Sequence, residues 1–174
     1  IVETVGVGQT ELDIMRVADT VMVVLVPEAG DAIQTMKAGL MEIADIFVVN
    51  KADREGADAI RNDLITMLHL SPRYDWWDVP VMTTEAKDNV GIPELFGKIE
   101  KHRNVLIETG HLERRRQARR ERAFTEVLYE KLKRAVEKRM ADDQRYPSLK
   151  EEVISGKIDP YRAADDVLKS LFGD

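Results

Sequence analysis

The chain has 174 residues, 44% apolar and 33% charged, which suits one compact domain with a helical extension and excludes both a disordered chain and two large domains. Lys and Arg together number 26 against 32 Asp and Glu, and the resulting net charge of −6 argues against bulk attraction to nucleic acid or anionic lipid. The absence of cysteine excludes disulfides, thiolate zinc sites, iron–sulfur clusters and a cysteine nucleophile, while His69, His102 and His111 lie too far apart in sequence to suggest a metal cluster.

In chain order, Ile1-Val2 reads as the tail of a strand running into Glu3-Thr4-Val5-Gly6-Val7-Gly8, so the chain reads as beginning inside a domain. Val21 to Val26, stopped by Pro27, and Ile46 to Val49, stopped by Asn50, are continuous apolar runs of the kind found in parallel strands buried on both faces. Val79 to Thr83 is a weaker third strand. Helical spacing links Ile33, Met36 and Leu40 over Ala32 to Ile43, and Ile60, Leu64, Met67 and Leu68 over Asp58 to Leu68. Alternating strands and helices predict βαβ crossovers and a mostly parallel sheet within a three-layer α/β sandwich.

From Ile92-Pro93 onward the pattern is helical. Leu95, Ile99 and His102 share one face up to a break at Gly110, and Phe124, Leu128, Leu132, Val136 and Met140 then repeat every four residues along a long amphipathic helix. That stripe suits either packing onto its own domain or dimerisation. Ser148 with Glu151 has capping-box spacing for a short helix closed by Gly156, and Asp159-Pro160 supplies an N-cap and first position for a final helix. The expected division is residues 1–103 for the α/β part and residues 104–174 for an all-helical extension. No apolar run approaches the roughly 20 residues of a membrane span, and the default expectation is a cytoplasmic, bacterial protein without a membrane partner.

Three segments carry chemistry, each after a strand, where ligands of α/β sheets bind. In Asn50-Lys51-Ala52-Asp53 a carboxylate can accept from guanine N1–H and the exocyclic amine, a donor pair adenine lacks; the Asn can bond the purine and the neighbouring loop, and the Lys stem can lie along the base. In Glu3-Thr4-Val5-Gly6 the acid can hold a magnesium-bound water, and the Gly6 N–H can reach a terminal phosphate because no side chain intervenes. A dinucleotide fingerprint on Gly6-Val7-Gly8 fails, since Glu11 occupies the third glycine position. In Thr84-Glu85-Ala86-Lys87 the Ala86 amide can contact the guanine oxygen. This order of segments is the order found in GTP-binding domains.

The stretches Glu3 to Glu11, Gly30-Asp31 through Gln34, Lys37-Ala38-Gly39 to Asp45, Val48 to Asp53, and Gly156 to Ala164 closely resemble the MeaB/ArgK family. These are P-loop GTPases that act as chaperones of adenosylcobalamin-dependent methylmalonyl-CoA mutase. The resemblance implies GTP/GDP and Mg2+ as cofactors, Glu3 as a Walker-B-type acid reaching magnesium through water, and Gly6 to Glu11 as switch II, with Gln9 a catalytic candidate two positions displaced from the usual water-orienting place. It implies a further switch near residues 28–37 whose Asp31, Gln34 and Lys37 couple to the mutase. Asn50, Lys51, Asp53, Thr84, Glu85 and Ala86 would form the guanine site, and the helical half a homodimer interface. Val7 stands where Ras-like GTPases place the water-orienting glutamine, so intrinsic hydrolysis is expected to be slow without a partner. No Gly-x-x-x-x-Gly-Lys-Ser/Thr occurs, so the chain reads as the C-terminal part of such a GTPase, unable alone to bind GTP tightly or hydrolyse it. A non-enzymatic dimerisation or partner-binding role is the alternative. The Arg114 to Arg122 cluster, interleaved with Glu113, Glu121 and Glu126, suits a solvated or partner-contact face rather than nucleic acid. A nickel-handling GTPase is disfavoured by the lack of Cys and clustered His.

Overall fold

A computed structural model describes residues 1–4, 14, 16–27, 41–70 and 74–172. Its contacts gather into two compact units, Ile1–Arg119 and Arg120–Asp174. The first is built on three parallel strands in the order β1 (Met22–Leu25), β2 (Ile46–Asn50) and β3 (Val81–Thr84). The register pairs Met22 with Ile46 and Val24 with Val48, then Val48 with Met82 and Asn50 with Thr84. A short helical turn α1 (Met41–Ile43) leads into β2, and helix α2 (Ala57–Leu70) joins β2 to β3. Of the predicted helix over Ala32 to Ile43, only the last turn falls on described residues.

Side chains alternate across the sheet, so each strand serves two layers. Phe47 and Val49 face one side with Leu25, where Ala57 and Leu64 of α2 bury them; Ile46 and Val48 face the other with Met82, covered by Leu95 and Ile99 of α3 (Ile92–Glu108). Burying each such large side chain contributes about 1.5–3 kcal/mol. This is the predicted three-layer α/β arrangement, centred on β2, whose first four residues are all buried.

Two expectations require correction. Among the described residues β1 pairs with β2 alone, and α3, which covers β2 and β3, leaves Met22 41% and Val24 51% exposed, where burial on both faces was expected. Ile1-Val2 forms no strand among the described residues: both side chains are exposed, and no neighbouring strand supplies the ladder hydrogen bonds that would hold an extended segment.

The end of α3 follows the local rules. Gly110 takes φ +72, which a residue with a Cβ adopts only at a cost, and long helix α4 (His111–Asp142) starts immediately after it. The first turns of α4 are bound into the sheet unit. Asp45, at the base of β2 and 1% exposed, accepts from Arg115 through both oxygens at 2.9 and 3.0 Å and from the Val21 N–H at 2.9 Å. Trp77 donates its indole N–H to the Asp45 carbonyl at 2.8 Å, making the tandem tryptophans loop anchors, while Trp76 stacks on His111 at 4.3 Å. Burial disfavours the Arg115 charge, but the bonds to Asp45 and its negative charge outweigh that and raise the guanidinium above its ordinary range. Arg116 and Arg119 both pair with Asp19, and these bonds, that to Arg116 foremost, hold the Asp19 carboxyl below its usual range. Part of the arginine cluster is therefore structural.

The second unit contains the rest of α4, with α5 (Tyr146–Ile154) and α6 (Pro160–Phe172). Asp159 caps α6 as expected, its Oδ1 accepting from Tyr161 and Arg162 N–H at 2.9 and 3.2 Å. Gly156 follows the end of α5 at φ +73, and its N–H bonds to Val153 O at 3.0 Å. Ser148 is not the cap of α5: the helix starts two residues earlier at Tyr146, with Pro147 in its first turn, where a missing N–H costs nothing. The apolar stripe of α4 divides. Val136 and Met140 line a groove closed by Leu149, Val153, Ala163 and Val167, whereas Phe124, Leu128 and Leu132 stay exposed.

Candidate functional site

Parallel pairing of β2 with β3 sets Asn50 beside Thr84, so the loops that follow them emerge together at the C-terminal edge of the sheet. The Asn50 Oδ1 accepts from Thr84 Oγ1 at 3.1 Å and from the Ala86 N–H at 3.1 Å. Both lone pairs of that oxygen are thus engaged, which fixes the side-chain flip and leaves the amide nitrogen as the group able to donate to a ligand. A main-chain bond from Ala52 N–H to Thr84 O, 3.1 Å, joins the two loops a second time.

Lys51 has φ 58, a left-handed conformation uncommon for a residue with a Cβ. It sends the chain out of β2 into a turn closed by Arg54 N–H on Lys51 O at 3.0 Å, and the turn presents Asp53 to solvent. On the other side, Glu85 and Val90 exchange backbone bonds at 3.0 and 3.2 Å around the 3₁₀ turn Ala86–Asp88. Two loops therefore flank one another, one carrying an amide donor and a carboxylate acceptor, the other the Ala86 amide bonded to Asn50, with the Glu85, Asp88 and Asn89 amides bonded within their own loop. A purine with a donor pair at N1 and C2 matches that set of groups.

The structure thus brings together Asn50, Lys51, Asp53, Thr84, Glu85 and Ala86. The Ala86 amide, expected at the guanine oxygen, is donated here to Asn50. Glu3 is exposed, and no hydrogen bond ties it to these loops among the described residues. Gly6, Gln9, Asp31, Gln34 and Lys37 lie outside the described residues. No group of three His, Asp or Glu side chains gathers among the described residues. The Arg115–Asp45 clamp was not foreseen from the sequence, although an acidic residue directly before a fully apolar strand was a signal for it.

A parallel α/β sheet with an Asn-Lys-x-Asp loop locked to the loop of the next strand defines a fold of the P-loop GTPase class. The profile of the family described as methylmalonyl Co-A mutase-associated GTPase MeaB matches residues 1–141, and the chain belongs to that family. It is 46% identical over 175 residues to a protein of Pyrococcus abyssi that carries a provisional GTPase name, covering 99% of this chain and 54% of the relative. It is 32% identical over 177 residues to the mitochondrial methylmalonic aciduria type A homolog of Caenorhabditis elegans, covering 99% of this chain and 44% of that protein. A solved structure described as LAO/AO transport system kinase superposes with a TM-score of 0.70 at 26% identity, over 97% of this chain and 55% of the other. The chain spans about half the length of the curated relatives it matches.

Proposed function

We propose that this chain is the base-recognising and helical portion of a magnesium-dependent GTPase that gates adenosylcobalamin delivery to, or protects, methylmalonyl-CoA mutase or a related acyl-CoA mutase. The observation that carries the reading is the Asn50 lock: an amide oriented by Thr84 and Ala86 beside the exposed carboxylate of Asp53, at the ligand-binding edge of a parallel sheet. Asn50 donates to the purine, Asp53 accepts from N1–H and the C2 amine, and the Lys51 stem covers the ring. The Ala86 N–H, pointed at the same place, is shared with or passed to the guanine oxygen. Glu3 and Gly6 serve the phosphate side, with Gln9 the polar side chain nearest to a water-orienting role. Asp31, Gln34 and Lys37 carry nucleotide state to the mutase, and the setting is the bacterial cytoplasm. Among the described residues no helix is long and apolar enough to cross a membrane.

A second reading has its own observation. Phe124, Leu128 and Leu132 form a bare apolar stripe on α4, 69%, 51% and 46% exposed, and such a stripe fits a homodimer partner. The two readings are compatible, because one concerns nucleotide and the other assembly.

One set of titrations tests both. Fluorescent GDP and ADP analogues are added with magnesium to this chain, with and without the separately purified N-terminal half of the Pyrococcus abyssi relative, and assembly is followed by sedimentation velocity. Guanine-selective binding that tightens on complementation is expected, with the chain sedimenting as a dimer. A folded complementation complex without guanine preference would remove the Asn50–Asp53 assignment and leave the interaction role. A monomer at all concentrations would remove the dimer.

A further inference from the structure

We propose that Gly91 is a positioning residue for base discrimination, holding the Thr84–Ala86 loop against Asn50 by letting the start of α3 close onto the backbone of β3. The inference rests on the guanine-nucleotide reading above and adds a residue to which that reading gives no part.

Gly91 caps α3 at φ +73, and its carbonyl accepts the Leu95 N–H at 3.0 Å. A Cβ at this position would lie 2.4 Å from the Thr83 carbonyl oxygen and 3.4 Å from Cα and Cγ2 of Thr84. The first distance is far inside van der Waals contact, and the atom it meets is strand backbone, which cannot swing aside as a side-chain tip can. The neighbouring Thr84 supplies the hydroxyl on Asn50 Oδ1, and Ala86 supplies the amide on the same oxygen. Glu85 and Val90 close the loop by paired backbone bonds, so the segment returns to β3 at Gly91 with no slack to absorb a shift. One added carbon therefore moves the Thr83–Thr84 backbone, and with it both donors that orient the Asn50 amide.

Base preference is a difference between two ligands. Displacing Ala86 weakens its bond to the guanine oxygen, a position where adenine carries a donor instead, so guanine loses more than adenine even where the Asn50 contact to the purine is weakened for both. Gly97, within α3 itself, supplies the internal control, since a Cβ there meets nothing within 4 Å.

The test is a 15N-resolved NMR titration of the chain with GMP and with AMP, read at the amides of residues 51–53 and 85–86. Without a phosphate cradle, dissociation constants on the order of 1 mM are expected for GMP. Wild type and Gly97→Ala should prefer GMP over AMP by about tenfold or more, and Gly91→Ala should lose that preference, its GMP constant weakening by more than its AMP constant. Retention of the wild-type ratio by folded Gly91→Ala would overturn the proposal and leave the guanine site standing. Absence of any GMP preference in wild type would instead remove the guanine reading itself, and the proposal with it. If the Leu64 and Val48 amides show that Gly91→Ala is unfolded, Val90→Pro carries the test, because it deletes the N–H donated to Glu85 O and leaves Gly91 intact. The same collapse of preference is expected there, and an unchanged ratio would overturn the proposal.

Discussion

The two ends of β2 use polar residues for opposite purposes. At its base, Asp45 is sealed among Arg115, Val21 N–H and Trp77, with His102 Nε2 at 3.7 Å, and every strong partner comes from this chain. At its top, Asn50 is held by one atom, leaving its amide and the Asp53 carboxylate facing outward. Five positions along the chain separate a group whose bonds are all spent on the fold from one whose amide nitrogen is left open to a ligand. The difference is closure: a buried charge must find its partners inside, whereas an exposed one can wait for them.

The sharpest way to break this comparison is Asp45→Ala, which leaves Arg115 without its buried partner. A loss of about 3–5 kcal/mol is expected in urea or thermal unfolding, and a loss below about 1 kcal/mol would mean the clamp is not structural. A smaller effect is expected at the other end. Asn50→Ala removes the acceptor for the buried Thr84 Oγ1 and the exposed Ala86 N–H, neutral donors rather than a charge, and should cost about 1–2 kcal/mol in the same unfolding experiment. Equal costs at the two ends would erase the distinction.

The smallest effect is in pH. Asp19 sits beside the clamp, and its bonds to Arg116 and Arg119 depress its carboxyl. A carboxyl depressed on folding adds stability that is present above its unfolded value and lost as pH falls through the folded one. Thermal unfolding from neutral pH into the acid range should therefore show wild type losing stability more steeply than Asp19→Asn below the ordinary carboxylate range. Parallel profiles would remove Asp19 from the clamp.

Much of the site was legible in sequence because it is local. Asn50 to Asp53 and Thr84 to Ala86 are contiguous motifs at strand ends, and the period of apolar residues located β2, α2, α3 and the length of α4. The exposure of Met22 and Val24 on β1 was not legible in the apolar run itself, since Val21 to Val26 says nothing of which neighbours cover it. Nor was the division of the α4 stripe, where Val136 and Met140 face α5 and α6 while Phe124 to Leu132 do not.

The sequence by itself determined the α/β class, the helix stops at Gly110 and Gly156, the cap at Asp159 and the family, because each depends on residues within one or two turns of chain. Only the tertiary structure decided that Arg115 serves Asp45 and that Gly91 must lack a side chain. The first pair is separated by 70 residues, and the second rests on a carbonyl in another element. Both are facts of distance in space, which no local pattern of residues encodes.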